Sequence, residues 1–271
     1  MLIKSTTYFF IALIALLVVL GAVHFIPPAV AVLVLFFALI LWLYKYYLQA
    51  NKPIGLYLTW AIAIVLGVIV GLYRPAGFSY PLVFKVSSLY EGGLPFGLYV
   101  NIAKLLIAYL IVYFLISLRP ASDIFIRTQS RQYALAIGLG ALIVLIASTV
   151  LNLQFHLKPL NYVVMFGLVN LLVTCVAEEA FMRLLLQAQL QRFMSGKVKS
   201  VLWLEAIPLL IATLIFVAVH LPSSVSAMLV FGLAGLVYGL VYSLTKNLWA
   251  CVLVHFTVNI IHFSLLTYPL A

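Results

Sequence analysis

The feature that most constrains this chain is a succession of apolar runs, each about 20 residues long, separated by short polar breaks. Hydrophobic residues make up 67% of the 271 positions and charged residues only 7%, and the mean hydropathy is +1.27. A helix needs about 20 apolar residues to cross the hydrocarbon core of a bilayer. The pattern therefore predicts an all-α fold, a polytopic transmembrane helical bundle, with no polar stretch long enough to form a separate soluble domain.

Hydropathy predicts nine spans, with eight as the alternative count. The longest segment between spans, 74–97, contains three prolines and four glycines and is expected to be a structured loop or a short interfacial helix. The predicted spans are 7–26, 28–47, 55–73, 98–118, 133–151, 161–190, 201–220, 223–244 and 247–269.

The basic residues predict the orientation of the bundle. If the N-terminus is cytoplasmic, ten lysines and arginines fall in cytoplasmic segments and three in external ones, so the positive-inside rule favours N-in and C-out. The net charge of +10 is spread over short loops without a clustered patch, which argues against nucleic acid as a partner. The cytoplasmic set is Lys4, Lys45, Lys52, Arg119, Arg127, Arg131, Arg192, Lys197, Lys199 and Lys246, and the external set is Arg74, Lys85 and Lys158.

Two of the five acidic residues of the chain stand side by side in the sixth span, within the segment AEEAFMRLLLQ. A charge near the middle of a membrane helix costs on the order of 3 kcal/mol, so such a group indicates a functional site by default. Glu179 and Arg183 are four residues apart with the acid first, the favourable arrangement for an ion pair on one helix face. Glu178 is rotated by about 100° from its neighbour and has no aligned partner on its own helix.

Other polar groups lie in later spans. His220 ends the seventh span, and His255, Asn259 and His262 fall on one stripe of the ninth. We expect these groups to share a buried cavity with Glu178. Lys104 and Glu205 lie close to the ends of their spans and are expected to reach the membrane interface.

A carboxylate base, histidines and an amide donor can activate water and hold an oxyanion, which is what peptide hydrolysis requires. Other plans of intramembrane protease are absent: the chain has no HExxH motif, a single aspartate, Asp123, and no serine in a GxSG-like setting. Two alternatives to hydrolysis remain open. In the first, the polar cluster is an ion network that only packs helices together. In the second, it serves a non-proteolytic membrane transporter or immunity scaffold.

The segments EEAFMR, FVAVH and HFTVN resemble the three signatures EExxxR, FxxxH and HxxxN of the CAAX-protease and bacteriocin-processing family (CPBP, also called Abi), which includes the type II CAAX prenyl proteases. The resemblance covers residues 161–265 approximately. It implies an intramembrane endopeptidase in which Glu178 is the base that activates water and His220 assists it. It further implies that His255 and Asn259 form the oxyanion site, while Glu179 and Arg183 support the first motif helix.

The resemblance divides the chain into N-terminal transmembrane helices of unassigned role, 1–150, and a catalytic transmembrane core, 151–271. Two histidines and a glutamate could bind zinc with an open position, but they serve a metal-free glutamic mechanism equally well, and the resemblance favours no cofactor. The expected partners are the lipid bilayer and a membrane-bound or membrane-tethered protein substrate. The predicted location is a prokaryotic plasma membrane.

Overall fold

The computed structural model describes residues 2–118 and 125–269, and within these residues the chain forms nine helices and one β-hairpin. Arg119 and Asp123, which enter the predictions above, lie outside the described residues, as does the side chain of Lys4. In chain order the elements are α1 Leu2–Ala22, α2 Pro28–Gln49, α3 Pro53–Leu72, β1 Leu82–Val86, β2 Phe96–Tyr99, α4 Ile102–Leu115, α5 Gln129–Val150, α6 Leu160–Met194, α7 Val201–His220, α8 Val225–Thr245 and α9 Leu248–Leu265.

Seven of these helices are long and apolar enough to cross a membrane, which confirms the all-α polytopic fold. The other two, α1 and α4, contain shorter apolar segments, Thr6–Ala22 and Ile102–Leu118. The number of spans and the N-in orientation stay predictions.

Proline, asparagine and serine set the helix starts. Pro28 and Pro53 occupy first-turn positions, where the missing N–H costs nothing. The side chains of Asn101, Ser224 and Asn247 accept backbone N–H groups at the starts of α4, α8 and α9. These caps explain why the chain turns sharply between apolar helices that hydropathy alone separates poorly.

The segment between α3 and α4 is an antiparallel β-hairpin, so the expectation of an interfacial helix is wrong there. Its strands pair Phe84 with Leu98 and Val86 with Phe96. The strand β2 also takes the first residues of the predicted span 98–118. Prolines on either side and two glycines in the turn disfavour a helix here, whereas alternating apolar residues suit a sheet with one packed face.

The hairpin lies at the same end of the bundle as the C-terminal segment. Phe96 packs against Phe263 with ring centroids 5.9 Å apart, and Phe263 stacks on Phe166 at 3.9 Å. Residues 266–269 leave the helix that the sequence predicts to run to 269, and Leu266 pairs with Phe155. Lys158, which was predicted to be an external charge, is buried and donates to the carbonyl of Leu266. It therefore connects the start of α6 to the segment that follows α9.

The helix α6 is the centre of the bundle. Most of its side chains from Val173 to Gln191 are buried. It contains two wide π-helical stretches, Asn170–Cys175 and Ala180–Gln187, on either side of the short α-helical segment Val176–Glu179. Such wide turns are frequent at functional sites because they change the direction of side chains along a helix.

Candidate active site

The structure brings the three motifs together around Glu178. The Oε2 atom of this carboxylate lies 3.7 Å from Nε2 of His220 and 4.0 Å from Nε2 of His255. These side chains come from the middle of α6, the end of α7 and the second turn of α9. Glu178 keeps 19% of its side chain exposed, so a water molecule or substrate can reach it.

Glu179 has the opposite environment. Its side chain is fully buried, and Nε of Arg183 donates to its Oε2 at 2.8 Å, the pair that helical phase predicts. Its Oε1 accepts from Nδ1 of His255 at 2.8 Å. Arg183 also donates to Gln187. Both oxygens of Glu179 are thus engaged, which makes it a support for the motif helix and for His255.

Hydrogen bonds fix the ring orientation of both histidines. A carbonyl oxygen only accepts, so Nδ1 of His220 carries the proton that is donated to the carbonyl of Phe216 at 2.7 Å. Likewise, Nδ1 of His255 donates to the carboxylate of Glu179. In their neutral forms both rings therefore present an unprotonated Nε2 towards Glu178.

The direction of the His220 ring explains how it comes close to His255, although the two residues lie at different levels along their helices. His220 is the last residue of a 20-residue helix, whereas His255 is only two turns into α9. The His220 ring folds back along α7 to its own preceding turn, where it bonds to Phe216, and Phe216 lies within 6.3 Å of the His255 ring. The helix stops there because Leu221 adopts a left-handed conformation (φ 45°) and Pro222 follows.

Asn259 lies one turn beyond His255 and donates from Nδ2 to Oδ1 of Asn170 at 3.3 Å. Cys175 also donates to that oxygen, at 3.1 Å. With Oδ1 accepting twice, Asn170 holds Asn259 in place at the cavity wall. His262 lines the same cavity but donates to the backbone carbonyl of Thr267, at 2.9 Å.

Two cavities meet at Glu178 and His220. The larger, of about 610 Å³, extends past His255, Asn259 and His262 to the hairpin and to Arg74. The smaller, of about 330 Å³, lies between α3, α4, α6 and α7 and is mostly apolar. The shared polar cavity expected from the sequence is therefore present, with an apolar second chamber that the sequence did not indicate.

Sequence reasoning missed two residues near the site, Asn170 and Lys104. Lys104 was expected to reach the membrane interface, but its Nζ lies 3.3 Å from Oε1 of Glu178. The signal for Asn170 was a lone amide in a strongly apolar stretch of the same predicted span as Glu178. No local pattern connects Lys104 with Glu178, because they are 74 residues apart.

Glu205, which was also expected to reach the interface, is paired within the protein. Its carboxylate binds Nζ of Lys246 with both oxygens at 2.6 Å and accepts from Gln191. Burial lowers the pKa of Lys246, which opposes the effect of the carboxylate beside it. This cluster joins α6, α7 and the end of α8.

The three groups that face one another at the site lie further apart than the ligands of a bound zinc ion. Among residues 2–118 and 125–269, no three His, Cys, Asp or Glu side chains are grouped as metal ligands. Zinc ligands held at about 2.0 Å in a tetrahedron lie roughly 3.3 Å from one another, whereas His220 and His255 lie 3.7 and 4.0 Å from Glu178. The ammonium group of Lys104 beside the same carboxylate further disfavours a second cation.

Comparison with known families gives one match, over the segment that contains the three motifs. Residues 159–261 match the family model described as type II CAAX prenyl endopeptidase Rce1-like, which confirms the resemblance carried by the three motifs. All three motifs fall inside the matched segment, and the helices before it fall outside. Comparison with the curated proteins and with the solved structures found no match.

Proposed function

We propose that the protein is a membrane endopeptidase of the glutamic type that uses Glu178, because residues 159–261 match the Rce1-like family model. The observation that supports this proposal is the approach of one Glu178 oxygen to two imidazole nitrogens, at 3.7 and 4.0 Å, on the wall of a 610 Å³ cavity. A water molecule between these three groups has a carboxylate to accept its proton.

In the proposed reaction, Glu178 takes a proton from water while the water oxygen bonds to the carbonyl carbon of the scissile peptide. The carbonyl π electrons move to oxygen and form an oxyanion. When the C–N bond breaks, the leaving nitrogen receives a proton from Glu178, directly or through Nε2 of His220. The products are a carboxylic acid and an amine, so the water is fully accounted for.

Asn259 and His255 are proposed to stabilise the oxyanion. Asn259 lines the cavity, and besides its bond to Asn170 it donates only to Sγ of Cys175 at 3.8 Å, a weak contact that an oxyanion can replace. His255 donates from Nδ1 to Glu179, so it can donate to an oxyanion from Nε2 only when the ring carries a second proton. Removing one oxyanion donor typically costs about 100- to 1,000-fold in kcat.

The proposed substrate is a membrane-bound or membrane-tethered protein in a prokaryotic plasma membrane. The larger cavity offers polar groups to a peptide, and the smaller offers an apolar surface that includes Gly67, Phe181 and Met182. Both cavities reach Glu178. A substrate with its peptide part in the larger cavity and its apolar part in the smaller one can therefore place the peptide bond at the junction of the two parts beside the carboxylate.

The test compares the termini of membrane proteins in cells that produce wild-type protein, Glu178→Gln or Glu91→Gln. Glu91 lies exposed in the hairpin turn and lines neither of the two cavities, so its substitution makes the same chemical change outside the site. We expect new protein termini with wild type and Glu91→Gln and none with Glu178→Gln. Purified Glu178→Gln protein that still cleaves the identified substrate at the wild-type rate contradicts the proposal.

A transporter or immunity scaffold makes a different prediction from the same residues. Proton-coupled uptake into liposomes, lost in Glu178→Gln and unaccompanied by peptide products, would favour that alternative. The two experiments use the same variants, so their outcomes can be compared directly.

A further inference from the structure

Among the ion-pair partners of Glu178 in the described residues, Lys104 is the one from outside the matched segment 159–261. It belongs to α4, and its Nζ lies 3.3 Å from Oε1 of Glu178. Its side chain is 32% exposed, so the ammonium group borders the smaller cavity and is not sealed in the core. Nothing in the motif pattern assigns a role to this residue.

The fold places Lys104 through the start of α4. Oδ1 of Asn101 accepts the backbone N–H of Lys104 at 2.9 Å and caps the helix. Nδ2 of Asn101 donates to the carbonyl of Gly71 at 3.4 Å, which joins this cap to the end of α3. Because the hairpin and the cap fix where α4 begins, they also fix the position of the lysine against α6.

The two oxygens of Glu178 have different neighbours. Oε1 contacts Lys104, whereas Oε2 faces the imidazoles of His220 and His255. Holding Oε1 sets the rotation of the carboxylate so that Oε2 points to the place where water is to be activated. An ion pair restricts a side chain in this way only when both groups stay charged.

The charged and titratable groups around Glu178 come from five helices. Lys104 faces it from α4, His220 from α7, Tyr238 from α8 and His255 from α9, while α6 itself contributes Cys175, Glu179 and Arg183. Arg183 is engaged with Glu179. Among the described residues, Lys104 is the lysine or arginine within 4 Å of the Glu178 carboxylate.

We propose that Lys104 is a positioning residue that keeps Glu178 ionised and correctly rotated for general-base catalysis. This inference rests on the proposed function of Glu178. A carboxylate must be ionised to take a proton from water, and a neighbouring cation favours the ionised form. Loss of the lysine therefore leaves more of the protein with a protonated, inactive Glu178 at a given pH.

The kinetic test compares Lys104→Met with wild type, Lys104→Arg and Lys85→Met across pH. Lys85 is an exposed lysine of the hairpin and controls for the loss of a positive charge. We expect the acidic limb of kcat/KM for Lys104→Met to move about one to three pH units upward. Lys104→Arg and Lys85→Met should keep the wild-type limb. A merely structural role would lower activity at every pH without moving the limb.

A second measurement does not require activity. A hydrophobic carbodiimide modifies protonated carboxyl groups, and mass spectrometry of the Glu178 peptide gives the fraction modified at each pH. We expect half-maximal modification at higher pH in Lys104→Met than in wild type, by the same shift as the kinetic limb. Lys104→Gln, which keeps a polar head without the charge, provides the same comparison if the methionine variant fails to fold.

The two measurements separate this inference from the proposed function. If wild type cleaves no peptide but the labelling shift occurs, the charge pairing stands and the endopeptidase mechanism fails. If wild type is active but Lys104→Met and Lys104→Gln show neither the kinetic nor the labelling shift, the role of Lys104 is overturned and the proposed function is unaffected.

Discussion

Two carboxylates of this bundle, Glu178 and Glu205, are exposed to nearly the same degree but have different surroundings. Their side chains retain 19% and 15% of their accessible surface. Glu205 holds Lys246 with both oxygens at 2.6 Å and also bonds to Gln191. The Glu178 carboxylate lies 3.3, 3.7 and 4.0 Å from the side-chain nitrogens of Lys104, His220 and His255, and it borders two cavities.

The comparison shows that partial burial does not by itself make a carboxylate reactive. Glu205 has its hydrogen-bonding capacity filled by the protein, so its charge serves to join three helices. Glu178 is held loosely enough to leave one oxygen for water. Glu179 is a third case, because it is fully buried and engaged by Arg183 and His255, each at 2.8 Å.

The largest expected effect comes from making the same substitution at both carboxylates. Glu178→Gln should lower kcat by about 1,000-fold or more, within the range for loss of a general base, and leave the thermal midpoint in detergent near that of wild type. Glu205→Gln should retain kcat per folded molecule and lose about 3 kcal/mol of stability, as when a buried ion pair is broken. The reverse pattern would contradict the distinction between the two sites.

The two histidines at Glu178 should also differ in how their loss affects activity and stability. His220→Ala should lower kcat by about 100-fold or more with little change in thermal midpoint, because its side chain is 25% exposed and its described hydrogen bond is to its own helix. His255→Ala should lower both kcat and the thermal midpoint. It also removes a hydrogen-bond donor from buried Glu179, at a cost of about 1–3 kcal/mol of stability. Kinetics and thermal unfolding of the two purified variants test this, and equal losses of stability would refute it.

A smaller effect is expected from Gly239→Ala. An added Cβ would clash with Cδ1 of Leu209 and would lie 2.7 Å from Nη1 of Arg183 and 3.3 Å from Oε1 of Gln187. Overpacking of this kind costs about 1–3 kcal/mol, and displacement of Arg183 should also reduce activity through Glu179. The matched control is Gly138→Ala, where an added Cβ meets nothing within 4 Å. Thermal midpoints that do not differ between the two variants would contradict this packing.

The smallest expected effect is that of metal removal. Dialysis against a strong chelator should leave kcat unchanged, because the carboxylate and histidines are proposed to act on water without a metal. The metal content of the dialysed protein, measured by mass spectrometry, is the control. Loss of activity that zinc restores would replace the glutamic mechanism with the zinc alternative.

Local sequence was enough to predict the helices and the pairing on one helix face. Apolar runs of membrane length predict helices whatever their neighbours are, because the backbone must satisfy its hydrogen bonds internally in lipid. The Glu179–Arg183 pair follows from a four-residue spacing that is slightly more than one helical turn. The hairpin between α3 and α4 was missed, because its alternating pattern is short and hydropathy averages it away.

The sequence by itself determined the helical bundle, the three motifs with the family model that they match, and the separation of Glu178 from the supporting pair on α6. Only the tertiary structure decided that Lys104 reaches Glu178, that Glu205 binds Lys246 and that Asn170 holds Asn259. These contacts join residues 74, 41 and 89 positions apart. Helical periodicity fixes which residues share a face, but the side chain that a polar group meets on another helix depends on how the helices pack.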